Sequence, residues 1–346
     1  MPDAIANNTR TFRAKEIASI LKISVHTLYK IIKQDNIPVI QQGNRKLLPS
    51  ESIRKIFESR GFVYKKEGQN KPLVINLSCM KGGVGKTTLA TALADASSRI
   101  GFRVLVLDLD MQANITESFN KKSTENLVMH NIMTEEKTVK DVIINVTSNL
   151  DLIPSSLENS KSDFFLSSST VDTPSYFSTL LEDCYSDYDL IIIDCPPTVN
   201  KITTCAYFFS DINLVPINAD IDSYHGAQMS VAHANSINKK FKTSDNIDCK
   251  IIFNKYDARE KLSMKILGMI ASDLELNECL LDVVVRTDTA FKNTKISHTS
   301  IFDLAKSSGK DDCLNLMCEL TGINDWADSE ENKYESKKNS LTAETV

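Results

Sequence analysis

The sequence predicts an α/β protein whose core is a doubly wound, mostly parallel sheet, joined to a small N-terminal helical domain. From Pro72 onwards, short runs rich in β-branched residues alternate with longer helical stretches. Runs that are apolar throughout are typical of strands buried on both faces. A glycine-rich segment follows the first of these runs and opens a helix, and the chain before Pro72 is helical and basic. These observations together predict the two-part architecture.

The composition is that of a soluble globular protein of about two domains. The 346 residues are 42% hydrophobic and 25% charged. No run approaches the roughly 18 apolar residues of a membrane span, and the first residues lack the apolar core of a secretory signal. The eight cysteines form no CxxC pair and no zinc spacing, which favours reduced, buried thiols. The composition therefore argues against secreted, membrane-spanning and zinc-finger classes.

Shifts in pattern divide the chain into five predicted segments. We expect a disordered N-terminus at 1–10, a helical domain at 11–60, a linker at 61–71, an α/β domain at 72–323 and a disordered tail at 324–346. The strands of the α/β domain are predicted at Leu73–Cys79, Arg103–Leu109, Leu150–Pro154, Leu190–Cys195, Ile212–Ile217, Cys249–Asn254 and Val283–Arg286.

The first 71 residues are basic, whereas the rest of the chain is acidic. They contain 14 Lys and Arg against six Asp and Glu, a net charge of +8, and the remaining residues carry −13. A basic module on an acidic body is typical of a domain that contacts phosphate backbones. A well-solvated small domain without a nucleic-acid partner would have the same composition.

Two short amphipathic helices are predicted in this basic segment, at Ala14–Leu21 and Val25–Lys33. Ser24 would cap the second helix. The following residues predict a small β-hairpin at 37–48 and a further helix from about Ser50. Two helices joined by a short turn form the helix-turn-helix layout.

This layout resembles the MerR-like winged helix-turn-helix. The resemblance implies that the second helix enters the major groove and that the hairpin contacts the DNA backbone. The DNA-contacting residues implied in this way are Ser24, His26, Thr27, Tyr29, Lys30, Lys33, Arg45 and Lys46. A helical domain that docks another protein is the alternative interpretation.

The strongest signal is the octapeptide KGGVGKTT, between the strand Leu73–Cys79 and a helix at Thr87–Ser98. Its glycines allow backbone N–H groups to turn toward phosphate oxygens, and the helix N-terminus adds partial positive charge. Lys86 would reach the β- and γ-phosphates, and the Thr87 hydroxyl would bind Mg²⁺. The predicted ATP-binding residues of this loop are Lys81, Gly82, Gly83, Val84, Gly85, Lys86, Thr87 and Thr88.

The loop differs from the common Walker A sequence in two positions. Met80 replaces its first glycine, and an additional lysine, Lys81, stands near its start. This pattern resembles the deviant Walker A motif of the ParA/MinD family of ATPases. The resemblance covers about residues 72–320 and implies the P-loop NTPase fold. It also implies that Lys81 is catalytic, because it would reach across a homodimer to the partner's nucleotide as an arginine finger does.

Three further motifs follow in the order of that family. The run DLDMQAN is similar to its DxDPQ-G-N run and implies Asp110 as the catalytic carboxylate, with a capping pair of aspartates in a turn as the alternative. The run YDLIIIDCPP is similar to its Walker B strand and implies that Asp194 binds Mg²⁺ through a water. The run IIFNKYD resembles the strand whose asparagine contacts adenine and implies this role for Asn254, unless Asn254 only satisfies a turn.

The resemblance implies a Mg²⁺-dependent ATPase with a weak intrinsic rate that acts in DNA partition. ATP would close a sandwich homodimer on nonspecific DNA, with Arg286, Lys292 and Lys295 as candidate contacts or merely a solvated basic loop. A ParB-type centromere-binding protein would stimulate hydrolysis, and the N-terminal domain would bind operator DNA for autorepression. We expect a cytoplasmic, nucleoid-associated protein without membrane contact.

Three other functions remain open. An ATP-sensing transcriptional repressor without a role in segregation would carry the same motifs. A MinD-like division-positioning ATPase would need a C-terminal amphipathic membrane helix, whereas the sequence after Asn324 is acidic. A nitrogenase-like iron–sulfur reductase would need ligand motifs that Cys195 and Cys205 do not match.

Overall fold

The N-terminal module combines a three-stranded sheet with three helices. The computed structural model describes residues 10–43, 45–65, 71–123, 127–241 and 247–329. The module contains β1 (Thr11–Arg13), α1 (Ala14–Ile20), α2 (Val25–Gln34), β2 (Ile40–Gln42), β3 (Arg45–Pro49) and α3 (Ser50–Ser59). Its strands are antiparallel in the order β1-β3-β2. The strand β1 was not predicted, because three residues are too few to show a period.

The two predicted helices of the module are joined by a short turn. Lys22 has a φ of 52° in this turn, and the Ser24 hydroxyl accepts a hydrogen bond of 3.0 Å from the backbone N–H of Thr27. This bond satisfies one of the free N–H groups at the start of α2. Ile17 on α1 and Leu28 on α2 are fully buried, so the apolar faces of the two helices pack within the module.

An eight-stranded sheet forms the centre of the remaining chain. Its strands are β4 (Leu73–Leu77), β5 (Val104–Asp108), β6 (Ile144–Thr147), β7 (Leu150–Ile153), β8 (Leu190–Asp194), β9 (Ile212–Ile217), β10 (Asp248–Tyr256) and β11 (Leu280–Arg286). They lie in the order β11-β10-β9-β4-β8-β5-β7-β6. All pairs are parallel except β6 with β7.

The seven predicted strands are all present, which confirms the mostly parallel α/β architecture. The edge strand β6 was not predicted. It has only four residues, and as an edge strand it pairs with one neighbour, so its sequence lacks the continuous apolar run of the central strands. Helices cover the sheet on both faces. They are α4 (Lys86–Ile100), α5 (Asn114–Ser118), α6 (Met129–Met133), α7 (Val139–Val142), α8 (Ser160–Ser168), α9 (Tyr176–Leu180), α10 (Lys201–Phe209), α11 (Ile221–Phe241), α12 (Lys261–Ser272), α13 (Leu274–Cys279), α14 (Ala290–Ser297) and α15 (Ser308–Leu320).

An aromatic cluster joins the N-terminal module to the α/β body. Trp326 lies 5.4 Å from Phe57 and 5.1 Å from Phe62, measured between ring centroids, and Tyr64 lies 4.7 Å from Phe102. Aromatic pairs at these separations add stability beyond their buried area. The module is therefore packed against the far end of α4, the helix that follows the glycine-rich loop.

Ion pairs reinforce this contact. Arg54 on α3 donates to the buried carboxylate of Asp189 at 2.6 Å and to the Gly101 carbonyl at 2.8 Å. Gly101 has a φ of 105°, and a Cβ at this position would lie 2.7 Å from Cβ of Arg54, so the close approach requires glycine. Glu16 pairs with Lys310 at 2.6 Å on the other side of the module.

The expected linker at 61–71 is wrong in its first part. Phe62 and Tyr64 are buried, and the Tyr64 hydroxyl donates to the Ile100 carbonyl at 2.8 Å. The polar residues around them predict a solvent-exposed linker. Burial of the two aromatic rings against the end of α4 is favourable, however, and holds this part of the chain on the body. Residues 66–70 lie outside the described residues.

The predicted bounds of the two disordered segments, 1–10 and 324–346, also differ from the structure. Arg10 is half-buried and pairs with Asp95 of α4, whereas residues 1–9 lie outside the described residues. Residues 323–329 are helical, and Ala327 is buried, so the chain remains ordered beyond Asn324. The docking of Trp326 supplies the apolar contacts that a local sequence pattern did not show. The rest of the expected tail, 330–346, lies outside the described residues.

None of the helices in the described ranges combines the length and apolar character needed to cross a bilayer.

Candidate nucleotide-binding site

The glycine-rich loop lies between the end of β4 and the start of α4. The strand β4 is central in the sheet, and the loop follows its last residue. The loop therefore lies at the carboxyl edge of the sheet, where ligands bind in doubly wound folds. Gly83 and Gly85 have φ values of 78° and 97°, in the left-handed region that favours glycine. Val84 is buried, whereas Gly82 and Gly83 are exposed. The backbone thus curls around the N-terminus of α4, as an anion cradle requires.

Lys86 lies inside this loop. Its ammonium group donates to the carbonyls of Cys79 at 3.1 Å and Lys81 at 3.3 Å, and the residue is 7% exposed. Thr87 is the next residue, in the first turn of α4, and Thr88 is exposed. An enclosed ammonium at the helix N-terminus provides the counter-charge for phosphate oxygens.

Two aspartates lie side by side at the ends of neighbouring strands. Asp108 at the end of β5 is in register with Asp194 at the end of β8. Burial, followed by the nearby charge of Asp194, raises the pKa of Asp108 to about 8. Burial also raises the pKa of Asp194 to about 7, while the Thr87 hydroxyl and the Lys86 ammonium oppose the rise. Both groups are therefore costly to ionise unless a cation approaches.

The surroundings of Asp194 suit a divalent cation. Within the described parts of the chain, both side-chain oxygens of Asp194 are buried without a hydrogen-bond partner, as is Oδ1 of Asp108. Buried polar oxygens normally have a partner, so orphaned carboxylate oxygens indicate a missing ligand. A carboxylate beside the Thr87 hydroxyl forms the hard oxygen donor set that Mg²⁺ prefers. The residues predicted as metal-binding thus fit this ion.

Asp110 lies just beyond the end of β5. Its carboxylate is half-buried and accepts a 3.0 Å hydrogen bond from the backbone N–H of Gln112. Ala113 has a φ of 52°, and its N–H donates to the Asp110 carbonyl at 2.8 Å. The alanine therefore adopts the left-handed conformation that the usual glycine favours, and the turn is kept at a cost of about 1–2 kcal/mol.

Lys81 is engaged within its own chain. Its ammonium group pairs with Asp220, which follows β9, and lies 3.6 Å from the carboxylate of Asp222. The contact with Asp220 raises the pKa of Lys81 and lowers that of Asp220. Lys81 is thus at the mouth of the loop, outside the cradle that encloses Lys86. Its predicted reach into a partner subunit stays a prediction.

Asn254 approaches the loop from β10. Its side-chain amide donates to the Val84 carbonyl at 2.7 Å, and its Oδ1 accepts from the backbone N–H of Lys255 at 2.9 Å. A Cβ on Gly85 would lie 2.2 Å from the Asn254 nitrogen, so this approach also needs glycine. Asn254 is 4% exposed, and its amide is occupied by the loop. Its predicted contact with adenine stays a prediction.

The predicted DNA-contacting side chains lie on the surface of the N-terminal module. Thr27 and Tyr29 are half-buried, and Lys46 places its ammonium 4.8 Å from the centre of the Tyr29 ring. The exposed members of the set are Ser24, His26, Lys30, Lys33, Arg45 and Lys46. The hydroxyl of Ser24 is engaged in capping α2 and in a contact with the Thr27 hydroxyl, which leaves it less free than the others.

The second candidate DNA surface is partly engaged in ion pairing. Arg286 forms a bidentate pair with Asp312, with distances of 2.6 and 2.9 Å. This pair fastens the end of β11 to α15, which is a sufficient structural role for the arginine. Lys292 and Lys295 are exposed on α14.

Sequence reasoning missed two carboxylates of the site. Asp108 had a local signal, since it is a charged residue at the end of an apolar strand, two positions before Asp110. Asp220 had none, because 139 residues separate it from Lys81. Only the packing of the β9 end beside the loop brings these two together.

Comparison with known proteins agrees with this geometry. The family model AAA_31, described as an AAA domain, matches residues 73–248. The sporulation initiation inhibitor protein Soj of Bacillus subtilis is 29% identical over 196 residues, covering 56% of this chain and 77% of Soj. The cell division protein PomZ of Myxococcus xanthus is 26% identical over 253 residues, covering 70% of this chain and 74% of PomZ.

A solved structure shares the fold. It is a protein from Borrelia burgdorferi described as a plasmid partition protein and bound to AMPPNP, 24% identical, with a TM-score of 0.60 over 73% of this chain and 98% of the other. The family match spans just over half of the chain and includes the loop and the Asp194 strand. The protein therefore belongs to the AAA_31 family of AAA domains and carries the P-loop NTPase fold of ParA/MinD-type proteins.

Proposed function

We propose that the protein is a Mg²⁺-dependent ATPase that partitions or positions a DNA cargo. The observation that carries this proposal is the arrangement of two lysines around one glycine-rich loop, with Lys86 inside the cradle and Lys81 at its mouth. A single chain needs only the inner lysine to bind phosphates. The outer lysine supports a nucleotide shared between two copies of the chain.

The residues of the site have separate tasks in ATP hydrolysis. The N–H groups of the loop and the Lys86 ammonium would bind the phosphate oxygens. Thr87 and Asp194 would hold Mg²⁺, which neutralises charge on the β- and γ-phosphates when bound. Asp110, at the loop after β5, would orient the attacking water. Catalysis by positioned groups alone is slow, which agrees with a weak intrinsic rate that a partner protein increases.

The ion pair between Lys81 and Asp220 has to break before the proposed dimer can assemble. Lys81 has to leave Asp220 and Asp222 before its ammonium can reach a nucleotide in a second subunit. A bound triphosphate offers a stronger attraction, because it carries more negative charge than the half-buried Asp220 and the exposed Asp222 together. Dimerisation would therefore follow ATP binding, and hydrolysis would release the subunits.

Replacing Lys81 by alanine should prevent ATP-dependent dimerisation while leaving ATP binding nearly intact. Loss of one partner of a desolvated charge pair weakens association by about 2–5 kcal/mol, roughly 30-fold or more. Light-scattering mass measurements with a non-hydrolysable ATP analogue would show a dimer for the native protein and a monomer for the variant. Lys15→Ala, an exposed lysine of the N-terminal module, is the control. A monomeric native protein under saturating ATP would contradict the proposal.

The dimer would bind DNA in two ways. Its body would coat nucleoid DNA without sequence preference, and a ParB-type centromere-binding protein would stimulate hydrolysis. The N-terminal module would bind operator DNA through α2 and the β2–β3 hairpin. The exposed lysines of α2 and the net charge of +8 in residues 1–71 support this part of the proposal.

Replacing Lys30 and Lys33 by glutamine should weaken operator binding and flatten its salt dependence. Each lost phosphate contact lowers the slope of log K against log salt by about 0.9. Fluorescence anisotropy on the upstream DNA of the gene, at several salt concentrations, measures both effects. ATPase activity of this variant serves as the control for folding, and an unchanged affinity with an unchanged salt slope would exclude the helix-turn-helix interpretation.

An ATP-sensing repressor without a segregation role is the second candidate. It is favoured by the docking of the N-terminal module on the end of α4, since α4 begins in the loop at Lys86 and ends beside Arg54 at Gly101. A rigid helix of this kind can carry a nucleotide signal to a DNA-binding surface. Intact repression in a variant that no longer coats nonspecific DNA would favour this candidate.

A further inference from the structure

We infer that Lys255 is a positioning residue of the nucleotide site: it acts together with Asn254 to hold the glycine-rich loop in its anion-binding shape. The inference deepens the proposed function and rests on it to the extent that the loop binds a nucleotide. Neither the loop sequence nor the aspartate motifs assign a role to Lys255.

The two residues hold two successive carbonyls of the loop. The Lys255 ammonium donates to the Gly83 carbonyl at 2.7 Å, and the Asn254 amide donates to the Val84 carbonyl at 2.7 Å. Asn254 is buried, whereas Lys255 is exposed. Adjacent residues of β10 thus fix adjacent peptide groups of a loop that lies about 170 positions earlier in the chain.

Peptide geometry gives these contacts a consequence inside the cradle. In a planar trans peptide the C=O of one residue and the N–H of the next point in opposite directions. Holding the Gly83 and Val84 carbonyls on the β10 side therefore directs the N–H groups of Val84 and Gly85 away from β10. These are the N–H groups that a phosphate-binding loop offers to its anion. Donors fixed in advance bind without a reorganisation cost.

The backbone at Lys255 is distorted in a way that serves this contact. Lys255 has a φ of 56°, and the pairing of β10 with β11 is interrupted between Asn254 and Tyr256. Such a bulge redirects a side chain and often lies beside a functional site. The Thr287 hydroxyl donates to the Lys255 carbonyl at 2.9 Å, which holds the bulge in place. A lysine in the left-handed region is strained, and its exposed side chain gains no burial in return.

The test compares three substitutions of Lys255. Lys255→Met keeps most of the side-chain length but removes the donor, and we expect ATP and ADP to bind about 10-fold more weakly, the lower end of the effect for a charged hydrogen bond. Lys255→Arg should restore most of the affinity, since a guanidinium can also donate to the Gly83 carbonyl. Lys255→Gly removes both the donor and the left-handed strain. It should bind nucleotide as weakly as the methionine variant while its nucleotide-free form melts at the same or a higher temperature.

Nucleotide affinity is measured with a fluorescent ATP analogue, and melting temperature is measured with and without ATP. Lys261→Met, an exposed lysine of α12, is the control with the same loss of charge. Unchanged affinity in Lys255→Met, or a lower nucleotide-free melting temperature with an unchanged shift on adding ATP, would overturn the inference. Weak ATP binding by the native protein would instead contradict the proposed function, so the two failures are distinct.

Discussion

Replacing Lys86 by alanine should lower the affinity for ATP by on the order of 100-fold. The ammonium is enclosed by the loop and donates to the Cys79 and Lys81 carbonyls. In the nucleotide complex it would exchange these for phosphate oxygens, and a charged hydrogen bond in an enclosed site contributes about 1.5–3 kcal/mol. Isothermal titration of the native and Lys86→Ala proteins with ATP and Mg²⁺ measures the difference.

Folding has to be separated from binding in this experiment. The two loop carbonyls lose a donor in the Lys86→Ala variant, so its loop could relax without unfolding the body. Circular dichroism and thermal melting without nucleotide check that the sheet is intact. Lys121→Ala, which replaces a half-buried lysine of the α/β body, is the matched control. An unchanged ATP affinity in a folded Lys86→Ala protein would refute the assignment of the cradle.

Replacing Asp110 by alanine should stop turnover while preserving the ATP-bound dimer. A carboxylate that positions or deprotonates the attacking water contributes a factor of about 10²–10⁴ to the rate. The hydrogen bond from the Gln112 N–H is lost with the side chain, whereas the turn bond from the Ala113 N–H to the Asp110 carbonyl involves only the backbone. The loop should therefore keep its shape in the variant.

Two measurements test the Asp110 prediction together. Phosphate release gives the rate, and light scattering with ATP gives the fraction of dimer, which should persist longer than in the native protein. Glu117→Ala removes an exposed carboxylate from the following short helix and controls for the loss of negative charge. Normal hydrolysis by Asp110→Ala would reject Asp110 as the residue that positions water.

Asp108 is the natural comparison for Asp110. It is fully buried, its pKa is raised to about 8, and Oδ2 accepts hydrogen bonds from the Thr116 backbone at 3.0 Å and hydroxyl at 2.6 Å. A carboxyl group that is costly to ionise and fixed by Thr116 is poorly suited to activate water. The structure therefore separates two aspartates that the sequence presents as a pair, and only Asp110 lies at the accessible side.

The contacts of Lys81, Lys255 and Trp326 show where sequence reasoning reached its limit. Each of these residues has a partner more than 100 positions away, in Asp220, Gly83 and the aromatic cluster. Local periodicity reports on neighbours along a helix or strand, and it contains no information on which distant segments meet. The expected linker and tail were misjudged for the same reason, because both are held by contacts with α4 and α3.

The sequence by itself determined the local parts of this protein: the buried parallel strands, the glycine-rich turn into α4, and the aspartates at two strand ends. These features depend on residues that are close in the chain, such as glycines at left-handed positions and apolar runs of strand length. Tertiary structure alone decided the rest. It placed Asp108 beside Asp194, put Lys81 against Asp220, and packed the N-terminal module on the end of α4. Those outcomes depend on the order of strands in the sheet, and that order is set by the burial of the whole core rather than by any one segment.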